Sequence, residues 1–218
     1  MKNIPRIFLG DNLKSGDIIP ASREVSHYLT RVMRRRDFLA FGGGAEFSAT
    51  ISDDGKSFLV GEQTPHRDPS GNKTLYFAPI KRTDDLVNFA TQMGVAKLIP
   101  VITARTVANN IKWDRMRKIA IEAAEQSNRN SVPEISAPVR FSELDLSEIV
   151  FADERCAHGG VAAKDVTNAS GVLVGPEGGF SDEEFAALDA GGARGISLGA
   201  TILRAELAAA VALTKVMK

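Results

Sequence analysis

Two short loops hold the residue types in this chain that could do chemistry. The first is Val174-Gly175-Pro176-Glu177-Gly178-Gly179-Phe180, and the second is Leu198-Gly199-Ala200-Thr201-Ile202-Leu203-Arg204-Ala205-Glu206. Glycines let backbone N–H and C=O groups approach a ligand closely. Phosphate is the first guest to consider, but a phosphate cradle wants the lysine of a P-loop. Here Glu177 and the acidic turn Asp182-Glu183-Glu184 would repel an anion. An adenosine carrying a sulfonium and an amino acid is a more compatible guest. In the second loop, Arg204 and Glu206 sit where a loop turns into a helix, exposed enough to act on a substrate. The alternative for this pair is an ordinary surface salt bridge or helix-end charge.

Each loop needs an element on either side to hold it. GVLV, before the first loop, is an apolar run of the kind found in strands buried on both faces. SDEEFAALDAGG follows as a helix, with Ser181 and Glu184 spaced as a capping box. GISLG reads as a short strand before the second loop, and RAELAAAVALTKVM as the closing helix. That helix is small and apolar on most sides, which suits deep packing or a partner subunit. The alternation extends back to Leu75: LYFAPI, KLIPVIT and EIVFAD read as strands. TDDLVNFATQMG, closed by Gly94, and KWDRMRKIAIEAAEQSN read as helices. An α/β fold with a parallel sheet is expected, its ligand site at the carboxyl ends of the strands.

Residues 1–70 follow a different pattern. RIFLG, DIIPA, DFLAF, EFSATI and KSFLV are short β segments separated by glycine and aspartate turns. One helical stretch, SREVSHYLTRVM, would place Val25, Leu29 and Val32 on one face. Short strands this dense suggest a small β-barrel. TPHRDPSGNKT is the expected linker, giving a module at 1–70 and a larger domain at 71–218.

The formal net charge is zero over 218 residues, yet the cations are unevenly placed. Arg31, Arg34, Arg35 and Arg36 form one cluster, and Arg105, Lys112, Arg115, Arg117 and Lys118 another. Such patches suit RNA, or else are solvated helix faces. Cys156 is the single cysteine, and His27, His66 and His158 are scattered, so neither a disulfide nor a metal site is expected. No apolar run reaches bilayer length and MKNIPRIFLG lacks the features of a signal peptide. No membrane partner and a cytoplasmic location are therefore expected.

The order GVLVGPEGGFSDEE then ISLGATILRAELAAAVAL resembles the SPOUT family of methyltransferases that modify uridine N3 in bacterial small-subunit (16S) ribosomal RNA. KIAIEAAEQSNRNSVPEI and GVAKLIPVITART resemble that family's upstream segments. PRIF and HYLTRVMR resemble its small PUA-like RNA-binding barrel. The resemblance implies a C-terminal trefoil knot, an exception to the rule that chains do not thread loops. It implies that S-adenosyl-L-methionine is held at Phe151, Ala152 and Glu154, at Val174, Gly175, Pro176, Glu177, Gly178 and Gly179, and at Leu198, Gly199, Ile202 and Leu203. Arg204 and Glu206 would be catalytic, and Arg6, Arg31, Arg34, Arg35 and Arg36 would contact RNA. A homodimer is implied too, with Val211, Leu213 and Val216 across the two-fold axis. Ala200–Thr201 departs from the family's usual Pro-Arg pair, and Gln92 from a glutamate. The rival readings are a non-catalytic RNA-binding protein that retains the knot, and a related enzyme with another RNA target.

Overall fold

The computed structural model describes residues 4–68, 71–107, 112–163, 166 and 168–217. It divides into two units, Met1–Pro69 with Ala124–Val132, and Ser70–Ala123 with Pro133–Lys218.

The first unit contains β1 (Arg6–Phe8), β2 (Ile18–Pro20), the short helix α1 (Arg23–His27), β3 (Asp37–Gly42), β4 (Ala45–Ile51) and β5 (Ser57–Gln63). The strands form one curled sheet in the order β1-β3-β4-β5-β2, antiparallel except where β1 meets β3. Inward residues of alternating strand positions build its core, including Ile7, Phe38, Phe47, Ile51 and Phe58. The rings of Phe38 and Phe58 meet edge to face at 5.3 Å. The helical stretch deviates from a single amphipathic helix. After His27 the chain widens into a π-type turn over Tyr28–Val32, where the Met33 N–H donates to the Tyr28 carbonyl at 2.9 Å. The wider turn shifts the helical phase. Leu29 is fully buried as expected, but Val32 is 60% exposed.

Residues 124–132 join this unit although they lie far along the chain. The Gly44 N–H donates to the Asn130 carbonyl at 3.0 Å, and the Asp68 carboxylate accepts the N–H groups of Asn130 and Ser131. Linear reading assigns that segment to the larger domain, because nothing local marks its partners.

The second unit contains β6 (Thr74–Phe77), α2 (Thr83–Gln92), β7 (Lys97–Ile102), α3 (Trp113–Gln126), β8 (Glu134–Ile135), β9 (Val139–Arg140), β10 (Ile149–Ala152), β11 (Gly171–Val174), α4 (Asp182–Ala190), β12 (Arg194–Ile196) and α5 (Ala205–Val216). The last residues of α3 belong to the first unit. The sheet is parallel throughout, in the order β12-β10-β11-β6-β7-β8, with β9 also pairing β7. The chain runs outward through β6, β7 and β8, then returns to the far side at β10. β11 inserts between β10 and β6, and β12 closes the edge. The loops leaving β10, β11 and β12 therefore start from neighbouring strand ends. β8 and β9 are two residues each, too short for periodicity to reveal.

The strands are buried on both faces, with Leu75, Phe77, Leu98, Val150, Phe151, Val172 and Leu173 at 0% exposure. α5 packs on α2, β10 and β11. Its buried small residues Ala208, Ala209 and Ala212 let the backbone approach closely. Leu213 and Val216 are buried within the chain itself, so they do not form the two-fold face expected of them. Val211 is partly exposed and Leu207 is 47% exposed, so the apolar surface that α5 leaves uncovered lies there and not at Leu213 and Val216.

Candidate active site

The loop after β11 is fixed at both ends. At its exit, Ser181 Oγ accepts the Glu184 N–H at 3.2 Å and Glu184 Oε2 accepts the Ser181 N–H at 2.9 Å, completing the capping box of α4. Glu184 Oε1 also accepts the Ala104 N–H at 2.7 Å, tying the helix start to the loop after β7. In the middle, Arg105 donates to the Gly178 carbonyl at 2.8 Å. Glu177 Oε1 accepts the Lys81 N–H at 3.0 Å, which ties the loop to the end of β6. Gly179 has φ +69°, and a Cβ there would come within 2.2 Å of Glu154 Oε1. At Gly178 the nearest atom to a Cβ would be Arg105 Cδ at an ordinary 3.6 Å. Of these two, Gly179 is the one that requires glycine on steric grounds.

The loop after β10 is held by one arginine. Arg155 donates to Asp153 Oδ2 at 2.8 Å and to Asp189 Oδ2 at 2.9 Å, and lies 4.3 Å over the Phe185 ring. These bonds, to Asp189 first and Asp153 second, hold the guanidinium well above its ordinary range. Glu154 beside it is raised for the opposite reason: partial burial disfavours its charge, and Asp153 adds repulsion.

These loops, with the one after β12, enclose a cleft of about 460 Å³. Ten of the thirteen expected cofactor positions line it: Ala152, Glu154, Val174, Gly175, Pro176, Glu177, Leu198, Gly199, Ile202 and Leu203. Phe151 does not. It lies in the core, 6.2 Å edge to face from Phe180, because successive residues of a strand point to opposite faces. Gly178 and Gly179 also lie off the lining; a Cβ on them would point at Arg105 and Glu154 respectively.

Arg204 and Glu206 both line the cleft. Arg204 is the N-cap of α5 and exposed, and its side chain has no partner among the described residues. Glu206 has a side chain only 7% exposed, and its Oε1 is paired with Arg82 Nη1 at 3.0 Å. Asp153 and Thr201, on the loops expected to hold the cofactor, also line the cleft, as do Lys81 and Arg82, which sequence reasoning missed as site residues. Arg82 precedes Asp84–Asp85 at the start of a helix. That marks a helix boundary and gives no hint of Glu206.

The basic residues of the first unit fall into two kinds. Arg6 is turned inward, with its side chain 9% exposed. It donates to Glu46 Oε2 at 2.8 Å, to the Ala124 and Arg129 carbonyls at 3.3 and 3.0 Å, and to Asn130 Oδ1 at 2.7 Å. The expectation that Arg6 contacts RNA is corrected: its side chain is buried and four of its five N–H donors are used inside the unit. Arg31 instead joins Arg23, His27 and Lys56 along an open groove. Arg34 is exposed with φ 52°, and Arg35 is half-buried. Arg36 is paired with Asp53 and donates to the Ile51 carbonyl at 2.8 Å. Among the described residues, no group of three or more potential metal ligands gathers.

The RNA methyltransferase domain family matches residues 67–217. Ribosomal RNA small subunit methyltransferase E of Rickettsia conorii is 32% identical, covering 97% of this chain and 94% of that protein. The protein of the same name from Aquifex aeolicus is 29% identical over 93% of this chain and 94% of its own. Ribosomal RNA small subunit methyltransferase E from Neisseria gonorrhoeae, solved bound to S-adenosyl methionine, has a TM-score of 0.81 at 25% identity, covering 97% of this chain and 96% of that one. The parallel sheet, the three loops around one cleft and these likenesses agree: the chain belongs to the ribosomal RNA small subunit methyltransferase E family of RNA methyltransferases.

Proposed function

We propose that the protein transfers a methyl group from S-adenosyl-L-methionine to N3 of a uridine in 16S ribosomal RNA of the small subunit. The observation that carries this is the opening of Arg204 and Glu206 into the cleft that the three loops enclose. The residues present fit the cofactor. Leu198, Ile202 and Leu203 offer apolar wall to an adenosine, while Asp153, Glu154 and Glu177 favour a cationic guest over an anionic one. The volume lies within the roughly 300–1,000 Å³ of small-molecule sites. When bound, the cofactor supplies an electrophilic methyl on a sulfonium.

The chain's own residues then handle the uracil. N3 is a weak nucleophile while it keeps its proton. Arg82 holds one oxygen of Glu206, and the other has no partner among the described residues, so it is available to accept that proton. Arg204, at the start of α5 and without a side-chain partner among the described residues, is placed to donate to a uracil oxygen as negative charge develops. Alignment of the base in the cleft supplies a further part of the barrier reduction.

The insertion of β11 between β10 and β6 supports reading the C-terminal part as a trefoil knot. The curled sheet and the basic groove of Arg23, Arg31 and Lys56 support a PUA-like module at 1–70 that grips RNA by shape and phosphates. Ile202 and Leu207, 63% and 47% exposed beside the cleft, support a homodimer with the site near its boundary. Small ribosomal subunits from a strain lacking the modification, incubated with labelled S-adenosylmethionine and this protein, should yield N3-methyluridine. Label on a ribose 2′-hydroxyl, or no label on any RNA, would overturn the assignment.

A further inference from the structure

We propose that a second pocket, at the carboxyl ends of β6 and β7, binds one nucleotide of the substrate RNA next to the nucleotide being methylated. This rests on the functional reading above and adds a subsite to it. The pocket has a volume of about 390 Å³ and shares only Lys81 with the cofactor cleft.

Its floor is apolar. Phe77, Ile80 and Met116 are 0%, 4% and 2% exposed, and Pro79 and Pro100 complete it. The polar group set into this wall is already committed, since the Thr83 hydroxyl donates to the Ile80 carbonyl at 2.8 Å. The rim is cationic. Arg115 Nε donates to Asp84 at 2.6 Å, while the ammonium groups of Lys81 and Lys112 have no partner among the described residues. Three cations thus face one carboxylate. A flat, weakly polar body with an anionic edge satisfies both features, and a nucleobase on its phosphodiester is such a body. Inorganic phosphate would leave the floor unused, and an apolar ligand would leave the lysines without a counter-charge.

The partition between the two cavities points to RNA as the source of that nucleotide. Lys81 borders both, its N–H held by Glu177, and the next residue, Arg82, holds Glu206. A strand that rests one nucleotide in the second pocket has its neighbour at the residues assigned to chemistry. The lysine side chain lies where the intervening phosphate would pass.

Uridine 5′-monophosphate should shift the backbone amide resonances of Lys112, Arg115 and Met116, which line only the second pocket, and saturate. Lys112→Glu should weaken that binding by about tenfold or more, as expected for losing a phosphate contact and gaining a repulsive one. Absence of these shifts, or equal shifts with inorganic phosphate at matched ionic strength, would overturn the nucleotide site. In turnover, Lys112→Ala should raise KM for small subunits and lower the salt slope of log KM by about 1, with the loss in KM rather than in kcat. Unchanged KM and slope would overturn it as well. If the wild-type protein methylates no RNA, the functional reading fails, while the uridine monophosphate titration still decides the pocket.

Discussion

The two units treat a buried glutamate in opposite ways. Glu46 in the first and Glu206 in the second have side chains 5% and 7% exposed, and each faces an arginine. Around Glu46 the network is closed. Oε2 accepts from Arg6 and Oε1 from the Thr64 hydroxyl at 2.8 Å, while Arg6 uses three more donors on two carbonyls and an amide oxygen. Around Glu206 the network is open. Its partner Arg82 is half-exposed and shared with Asp85, and the side-chain cations of Arg204 and Lys81, which line the same cleft, have no partner among the described residues. Equal burial therefore has different consequences. A closed network specifies one packing of the sheet, and an open one keeps charge and hydrogen-bonding capacity for a ligand.

The largest effect expected is on the closed side. Arg6→Ala leaves Glu46 buried without its cation, which should cost about 3–5 kcal/mol of unfolding free energy. Denaturant titration would check this, and a loss below about 1 kcal/mol would mean the network is not closed in solution. On the open side the damage should be kinetic. Arg204→Ala should leave the melting temperature and RNA affinity in place and lower kcat by roughly 10²–10³-fold, the range for losing one donor to a developing oxyanion. An equal drop in RNA affinity would make Arg204 a gripping residue and blur the contrast.

A smaller effect tests how tightly the open cleft is held. Gly179→Val forces a β-branched residue to φ +69° and against Glu154. About 1–3 kcal/mol of backbone strain should weaken S-adenosylmethionine binding by some ten- to a hundredfold in calorimetry. Gly178→Ala should change little, since its Cβ meets only the Arg105 side chain. Matching losses at both glycines would mean that closeness to the ligand, rather than the backbone at Gly179, sets the requirement.

The smallest effect is a pH dependence. Burial and then Asp153 raise the Glu154 carboxyl above its ordinary range, so the fold favours the protonated form. The stability this group contributes is complete below the ordinary glutamate range and is lost as pH rises through the raised value. Glu154→Gln keeps the neutral form, and should flatten by a small amount the fall of melting temperature as pH rises above the ordinary glutamate range, because the group is partly solvated. A steeper fall in the variant would contradict the sign.

What the sequence determined by itself is what neighbouring residues settle among themselves. The capping box needs only Ser181 and Glu184, three residues apart, so the start of α4 and the end of the glycine loop were legible. Strand runs such as GVLV and the order of helices follow from local periodicity, whereas most of the cleft lining on the two loops was implied by the family resemblance of their motifs. The misreadings share a physical cause. Phe151 and Ala152 are adjacent, and which of them faces the cleft depends on how β10 sits in the sheet. Arg6 and Arg31 have the same chemistry, and only the folded unit turns one toward Glu46 and the other to solvent. Val32 left the apolar face through a backbone widening that side-chain spacing does not encode. The meeting of Arg82 with Glu206 was decided last of all, by tertiary structure alone. It requires α2 and α5 to pack together beneath the ends of β6 and β11, strands that are adjacent in the sheet but far apart in the chain. A hydrogen bond acts over about 3 Å, so no pattern in the sequence could choose that partner before the strand order had brought the two ends together.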